Sequence, residues 1–114
     1  MSADVFRRQT FAAQEVLFRA GDPPGSAFLI QAGSVAVSAR DGNRDVVLAV
    51  LQAGDLLGEM ALLNALPRSA TATAREPTTC IVVTPTEFSR RLERSDALVR
   101  AMLKSLAHKL RGSD

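Results

Sequence analysis

The sequence predicts a mainly β domain, a sandwich or barrel, followed by two C-terminal helices. Three observations carry this expectation. Short β-branched and aromatic runs recur through residues 1–83 at spacings of roughly 8–12 residues, with Gly- and Pro-rich breaks between them. From residue 84 onward the apolar residues take up helical spacing instead. With 114 residues and 12.2 kDa, the chain can bury one modest core, so residues 1–114 form one domain.

The strand candidates are residues Glu15–Phe18, Ala27–Ile30, Val35–Val37, Val46–Leu51 and Cys80–Val83, within a β unit of about residues 5–83. The breaks between them are Gly21-Asp22-Pro23-Pro24-Gly25, Gly33, Asp41-Gly42-Asn43 and Gly54-Asp55. Residues 34–38 alternate, Ser-Val-Ala-Val-Ser, as a strand with one buried face should. Asp41-Gly42-Asn43 reads as a hairpin turn, because Gly and Asn tolerate positive φ. Helices follow at about residues 85–94 and 96–111. Thr84 or Thr86 can cap the first, Pro85 suits its opening turn, and Glu87 suits its positive end. Ser95-Asp96 can cap the second, and Gly112 supplies a stop. The second helix carries an apolar stripe of Leu98, Val99, Met102, Leu103, Leu106 and Leu110, which either packs on the β unit or pairs with a second copy.

Composition excludes several classes. The net charge is only +2, so no global positive field calls for nucleic acid or an anionic membrane. Charge is split along the chain: residues 84–114 hold seven Lys/Arg and four Asp/Glu, residues 1–83 seven and eight. A solvated helical face explains that bias. One cysteine and one histidine argue against a disulfide framework and a transition-metal site. Cys80 reads as a buried structural thiol and His108 as a solvated side chain. The apolar runs are short of the about 18 residues a membrane span needs, and the polar start at Met1 is no signal peptide. A cytoplasmic, free-standing protein is the expectation.

The chemistry concentrates in residues 54–71, Gly-Asp-Leu-Leu-Gly-Glu-Met-Ala-Leu-Leu-Asn-Ala-Leu-Pro-Arg-Ser-Ala-Thr. Gly58 lets the backbone pass close to a ligand. Glu59–Leu63 suits a short helix whose first amides lack intrahelical acceptors and attract an anion. Pro67 stiffens the loop that follows, Arg68 adds a planar permanent cation, and Ser69 a hydroxyl. An anionic phosphate with a sugar hydroxyl would satisfy all of these groups. A surface ion pair between Glu59 and Arg68, worth little, is the plain alternative.

This segment resembles the phosphate-binding cassette of the cyclic-nucleotide-binding domain family. That family's pattern is Gly-Glu-x-Ala-Leu, a short variable loop, then Pro-Arg-Ser/Ala/Thr-Ala-Thr. Here it reads Gly58-Glu59-Met60-Ala61-Leu62, then Pro67-Arg68-Ser69-Ala70-Thr71. The resemblance spans nearly the whole chain. Phe18-Arg19-Ala20-Gly21-Asp22 looks like the turn after the second strand, residues 28–35 like the strand–Gly–strand that follows, and Gly54-Asp55 like the approach to the cassette. The two terminal helices resemble the family's B and C helices.

The resemblance implies an eight-stranded, jelly-roll-like double-stranded β-roll that holds a cyclic mononucleotide, with helices against one end. It implies that Arg68 pairs with the cyclic phosphate and that Glu59 accepts a hydrogen bond from the ribose 2′-hydroxyl. Backbone amides near Gly58, Met60 and Ala61, with those of Ser69, complete the anion cradle. Ser69, directly after the arginine, favours cAMP, with cGMP as the alternative ligand. Phe18, Val37 and Leu48 fall on strands that line the family's pocket and are candidates for the floor under the base; simple core packing is the competing explanation. The chain has no Trp or Tyr to cover the base. A lid would come from Met102, Leu106 or Arg111, or from another chain.

No metal is called for, and no serine–histidine–carboxylate set, P-loop, dinucleotide fingerprint or zinc-ligand spacing is visible. The expectation is therefore a regulatory receptor without catalytic residues, not a phosphodiesterase. It would relay binding to its last helix, and through that helix to a second copy or an effector protein. Two rivals stand beside it: a protein-interaction domain that kept the fold and lost the ligand, and the sensor fragment of a larger transcription regulator, channel or kinase. With no room for a helix-turn-helix after Leu110, direct DNA contact by this chain is not expected, nor is membrane insertion.

Overall fold

The computed structural model describes residues 7–111, without the side chains of residues 107, 110 and 111. Eight strands precede and flank a short helix, and two helices close the chain. In order they are β1 (Arg7–Phe11), β2 (Val16–Phe18), β3 (Ala27–Ala32), β4 (Ser34–Asp41), β5 (Arg44–Gln52), β6 (Leu56–Leu57), α1 (Glu59–Asn64), β7 (Thr71–Ala74), β8 (Thr78–Val83), α2 (Pro85–Glu93) and α3 (Ala97–Arg111).

The strands form two four-stranded antiparallel sheets, ordered β1-β8-β3-β6 and β2-β7-β4-β5. Sequence neighbours β3 and β4 lie in different sheets, so the chain crosses between layers at Gly33. There φ is +97°, and a Cβ would meet Pro77 O at 2.6 Å and Thr78 Cα at 2.7 Å. Only glycine fits that crossing. Between the layers sit Phe11, Phe28, Ile30, Val35, Leu57, Ala72, Ala74 and Cys80. Phe11 and Phe28 meet edge-to-face, with centroids 5.9 Å apart. The apolar surroundings of the fully buried Cys80 push its thiol pKa up, so it stays protonated and inert.

The β4–β5 hairpin turns through Gly42 and Asn43, and Gly42 takes φ +68°, as the Asp-Gly-Asn signal implies. This hairpin carries a β-bulge. Val37 pairs with Ala49 and Ser38 with Val47, which leaves Leu48 without a cross-strand partner. The expected caps are present: Glu87 N–H donates to Thr84 Oγ1 at 3.1 Å, Pro85 opens α2, and Leu98 N–H donates to Asp96 Oδ1 at 2.7 Å. The stop expected at Gly112 lies outside the described residues.

Most of the described side chains in the apolar stripe of α3 are left uncovered. Helix α3 contacts α1, yet among the stripe's described side chains Leu98, Val99, Met102 and Leu106 remain exposed and Leu103 alone is half-buried. No described helix is long and apolar enough to cross a membrane.

Candidate functional site

Between sheet β2-β7-β4-β5 and helix α1 lies a cavity of about 350 Å³. That is within the usual range for small-molecule sites. Its lining falls into two chemical halves. Val37, Ala49, Leu51, Leu56 and Leu66 form an apolar wall, and the segment from Gly58 to Ala61 with Arg68 and Ser69 forms a polar end.

The polar end is built by backbone conformation first. Gly58 takes φ +79° and turns the chain from β6 into α1, and no side chain caps that helix. Ala61 N–H returns to Gly58 O at 3.2 Å. The amides of Glu59 and Met60, on the first turn, have no intrahelical acceptor. Of the amides expected in the cradle, that of Ala61 is already bonded, while that of Met60, like that of the neighbouring Glu59, is free of the helix ladder.

Arg68 is clasped from behind. Its backbone N–H donates to Asp22 O at 2.9 Å, and its carbonyl accepts from Gly21 N–H at 2.8 Å. Asp22 closes the supporting turn by accepting from Arg19 N–H at 3.0 Å. The side chain is 9% exposed. Nη2 donates to Ser26 O at 2.6 Å and Nη1 to Gly58 O at 3.3 Å, while the guanidinium carbon lies 4.1 Å from the centroid of the Phe18 ring. Burial pushes the guanidinium pKa below its ordinary value, and the charge of Asp22 pushes the other way. No carboxylate lies within ion-pair distance of Arg68 among the described residues. The plain alternative of a Glu59–Arg68 ion pair is thus not formed. A buried cation that touches only carbonyls and a ring face, with Asp22 beyond ion-pair distance, still attracts an anion.

The structure brings Gly58, Glu59, Met60, Ala61, Arg68 and Ser69 to one cavity, together with Phe18 and Val37. Three other expected residues are not in the lining. Leu48 is 61% exposed and does not line the cavity; the bulge displaces it, and Ala49 and Leu51 hold the wall instead. Met102 and Leu106, 56% and 53% exposed, are not among the residues that line the cavity either. The side chain of Arg111 lies outside the described residues. Sequence reasoning missed Ser26, whose carbonyl holds the guanidinium, and Leu56 and Leu66 at the apolar wall. A backbone acceptor leaves no side-chain signal to read.

Gly58 gives a direct test of this geometry. A Cβ there would lie 2.6 Å from Arg68 Nη1 and 3.2 Å from Ser26 O, at a φ that L-residues rarely adopt. Gly58→Ala is therefore expected to displace the guanidinium and to destabilise the fold by about 1–3 kcal/mol. Thermal melts would show the second effect. A crystal structure with Arg68 unmoved would refute the first.

Comparison with known proteins settles the family. The model of the family described as cyclic nucleotide-binding domain matches residues 8–95. The chain belongs to this family. As a cyclic nucleotide-binding domain it is 31% identical over 107 residues to a cAMP-dependent protein kinase regulatory subunit of Dictyostelium discoideum, covering 90% of this chain and 33% of that one. It is 28% identical over 115 residues to a cyclic AMP receptor protein of Thermus thermophilus, covering 100% of this chain and 53% of that one. The domain thus spans between a third and about half of these two relatives. An EAL enzyme solved in cAMP-bound and cGMP-bound forms superimposes with TM-scores of 0.79 and 0.81, at 26% and 27% identity. Those superpositions cover 94% and 92% of this domain and 29% and 28% of the enzyme. Regulatory chains and an enzyme both include the domain. The described residues hold no cluster of His, Cys, Asp and Glu suited to a metal ion.

Proposed function

We propose that this chain is a cyclic-nucleotide receptor domain that binds cAMP in the cavity beside α1 and transmits its occupancy to α3. One observation carries the reading: Arg68 is buried at the cavity's polar end, oriented by carbonyls and left without a carboxylate partner. A cyclic phosphodiester brings one negative charge and no titratable proton, and an arginine can meet it with charge-assisted, bidentate hydrogen bonds. The uncapped start of α1 adds amide donors to the same anion. Glu59, also in the lining, receives the ribose 2′-hydroxyl. The base lies along Val37, Ala49, Leu51, Leu56 and Leu66, a wall without charge.

Ser69 follows the arginine and favours cAMP over cGMP. The preference is modest, because one hydroxyl hydrogen bond changes selectivity by roughly tenfold at most. The relay runs through α1. Its first turn lines the cavity and its body contacts α3, so a ligand that repositions α1 changes what α3 rests on. The exposed stripe of α3 is the output surface, available to a second copy or an effector protein. The reading assigns the domain a regulatory role in the cytoplasm, with no catalytic residue and no metal.

Isothermal titration with cAMP and then cGMP tests the proposal, with deuterium exchange over residues 84–111 on the same samples. Saturable one-to-one binding, tighter for cAMP, with altered exchange in α3 is the expected result. Absence of binding to either nucleotide would leave the protein-interaction reading. Binding without any change in α3 would sink the relay.

A further inference from the structure

We propose that Phe18 is the positioning residue for Arg68: its ring holds the guanidinium in its binding orientation without neutralising it. This rests on the reading of the cavity as a nucleotide site. Phe18 is expected under the base; it lines the cavity, and its ring faces the cation there. The guanidinium carbon stands 4.1 Å from the ring centroid, well within the distance at which a ring face attracts a cation. The ring is itself anchored. It stacks on Phe28 at 6.1 Å and 27°, and Phe28 is buried against Phe11 in the core between the sheets. The platform under Arg68 is therefore continuous with the buried core between the sheets.

The other groups that touch the guanidinium are also uncharged, and the carboxylate of Asp22 acts on it only from beyond ion-pair distance. Ser26 O and Gly58 O accept one hydrogen bond each from the terminal nitrogens, which leaves three of the five guanidinium N–H donors without an acceptor among the described residues. Gly58 leaves room for the slot: a Cβ there would lie 2.6 Å from Nη1 and 3.5 Å from the Phe18 ring. Other ways of fixing an arginine exist, and the commonest is a carboxylate. A carboxylate would hold the side chain equally well and would compete with the incoming phosphate for its charge. A ring face and two carbonyls restrict the rotamers of a long side chain in advance, and leave the charge for the ligand.

The experiment compares Phe18→Leu and Phe18→Tyr with the wild type in two measurements. In the ligand-free protein, the Arg68 Nε–Hε proton is expected to resonate upfield from ring-current shielding. Phe18→Leu should abolish that shift and Phe18→Tyr should retain it. In titrations with cAMP, Phe18→Leu is expected to bind about three- to thirtyfold more weakly, and Phe18→Tyr within about threefold of wild type. An unshifted Arg68 proton in the wild type overturns the proposal without any variant having to fold. So does unchanged affinity in Phe18→Leu, or equal losses in both variants, which would point to packing alone. Should the wild type bind neither cAMP nor cGMP, the receptor reading fails, and the ligand-free spectra still decide whether Phe18 orients Arg68.

Discussion

Arg68→Ala is expected to weaken cAMP binding by about ten- to a thousandfold. The size follows from what the side chain does. Charge-assisted hydrogen bonds contribute about 1.5–3 kcal/mol each, and a guanidinium can supply two to one phosphate. Arg68 is also held in place before the ligand arrives, by Ser26 O, Gly58 O and the Phe18 ring, so little of its binding energy goes into ordering it. Arg68→Lys separates charge from shape. A lysine keeps the cation but cannot form the planar fork, so an affinity between those of wild type and alanine is expected. Titration with a fluorescent cyclic nucleotide, with a thermal melt as control for folding, measures both variants. Wild-type affinity in Arg68→Ala would remove Arg68 from the site and with it the main support for the receptor reading.

Gly33→Ala is expected to be the most damaging small substitution for stability, by about 3–5 kcal/mol. Two terms add. The residue takes φ +97°, and the new Cβ would be driven to 2.6 Å from Pro77 O and 2.7 Å from Thr78 Cα. Those are backbone atoms of the segment entering β8, the strand that pairs with both β1 and β3, so they cannot swing aside as a side chain would. Gly42→Ala is the matched control. Gly42 also has positive φ, +68°, but a Cβ there meets nothing within 4 Å. Its variant should lose only about 1 kcal/mol. Chemical denaturation of the two proteins side by side checks the difference, and equal losses would show that conformation alone, not the contact with the β8 segment, sets the effect.

How much of this was legible in advance depended on whether the signal was local. The strands β3, β4 and β5 have β-branched runs and turn residues at their ends, and the Gly42–Asn43 hairpin forms where its composition says. The strands that went unread have physical reasons to be silent. β1 is Arg-Arg-Gln-Thr-Phe, exposed except for Phe11, and exists because it pairs along β8. β6 has two residues. β7 is Thr-Ala-Thr-Ala, and its buried Ala72 and Ala74 bring too little apolar surface to announce a strand. In each, long-range pairing supplies what propensity does not.

The polar end of the site was legible for the same reason. Gly58, Glu59, Met60, Ala61, Arg68 and Ser69 lie within twelve residues, so a short turn, a short helix and one loop suffice to converge them. The apolar end was not. The family's pocket-lining strands suggested Leu48, but Leu48 is the unpaired residue of the bulge, and Ala49 and Leu51 line the cavity. The stripe on α3 has the spacing of a packed face, yet Leu98, Val99, Met102 and Leu106 stay exposed, since periodicity says that a helix has two faces and not what covers either one.

By itself, then, the sequence determined the mainly β class, the two closing helices with their caps, and the order of glycine, carboxylate and arginine in the cassette. These depend on φ preference, hydrogen-bonding groups and spacing over a few residues. Only the tertiary structure decided that Arg68 meets Ser26 and Phe18, which lie 42 and 50 positions away along the chain. Such contacts follow from how two sheets stack and where one strand bulges, and those outcomes are set by the packing of the whole core and not by any segment of it.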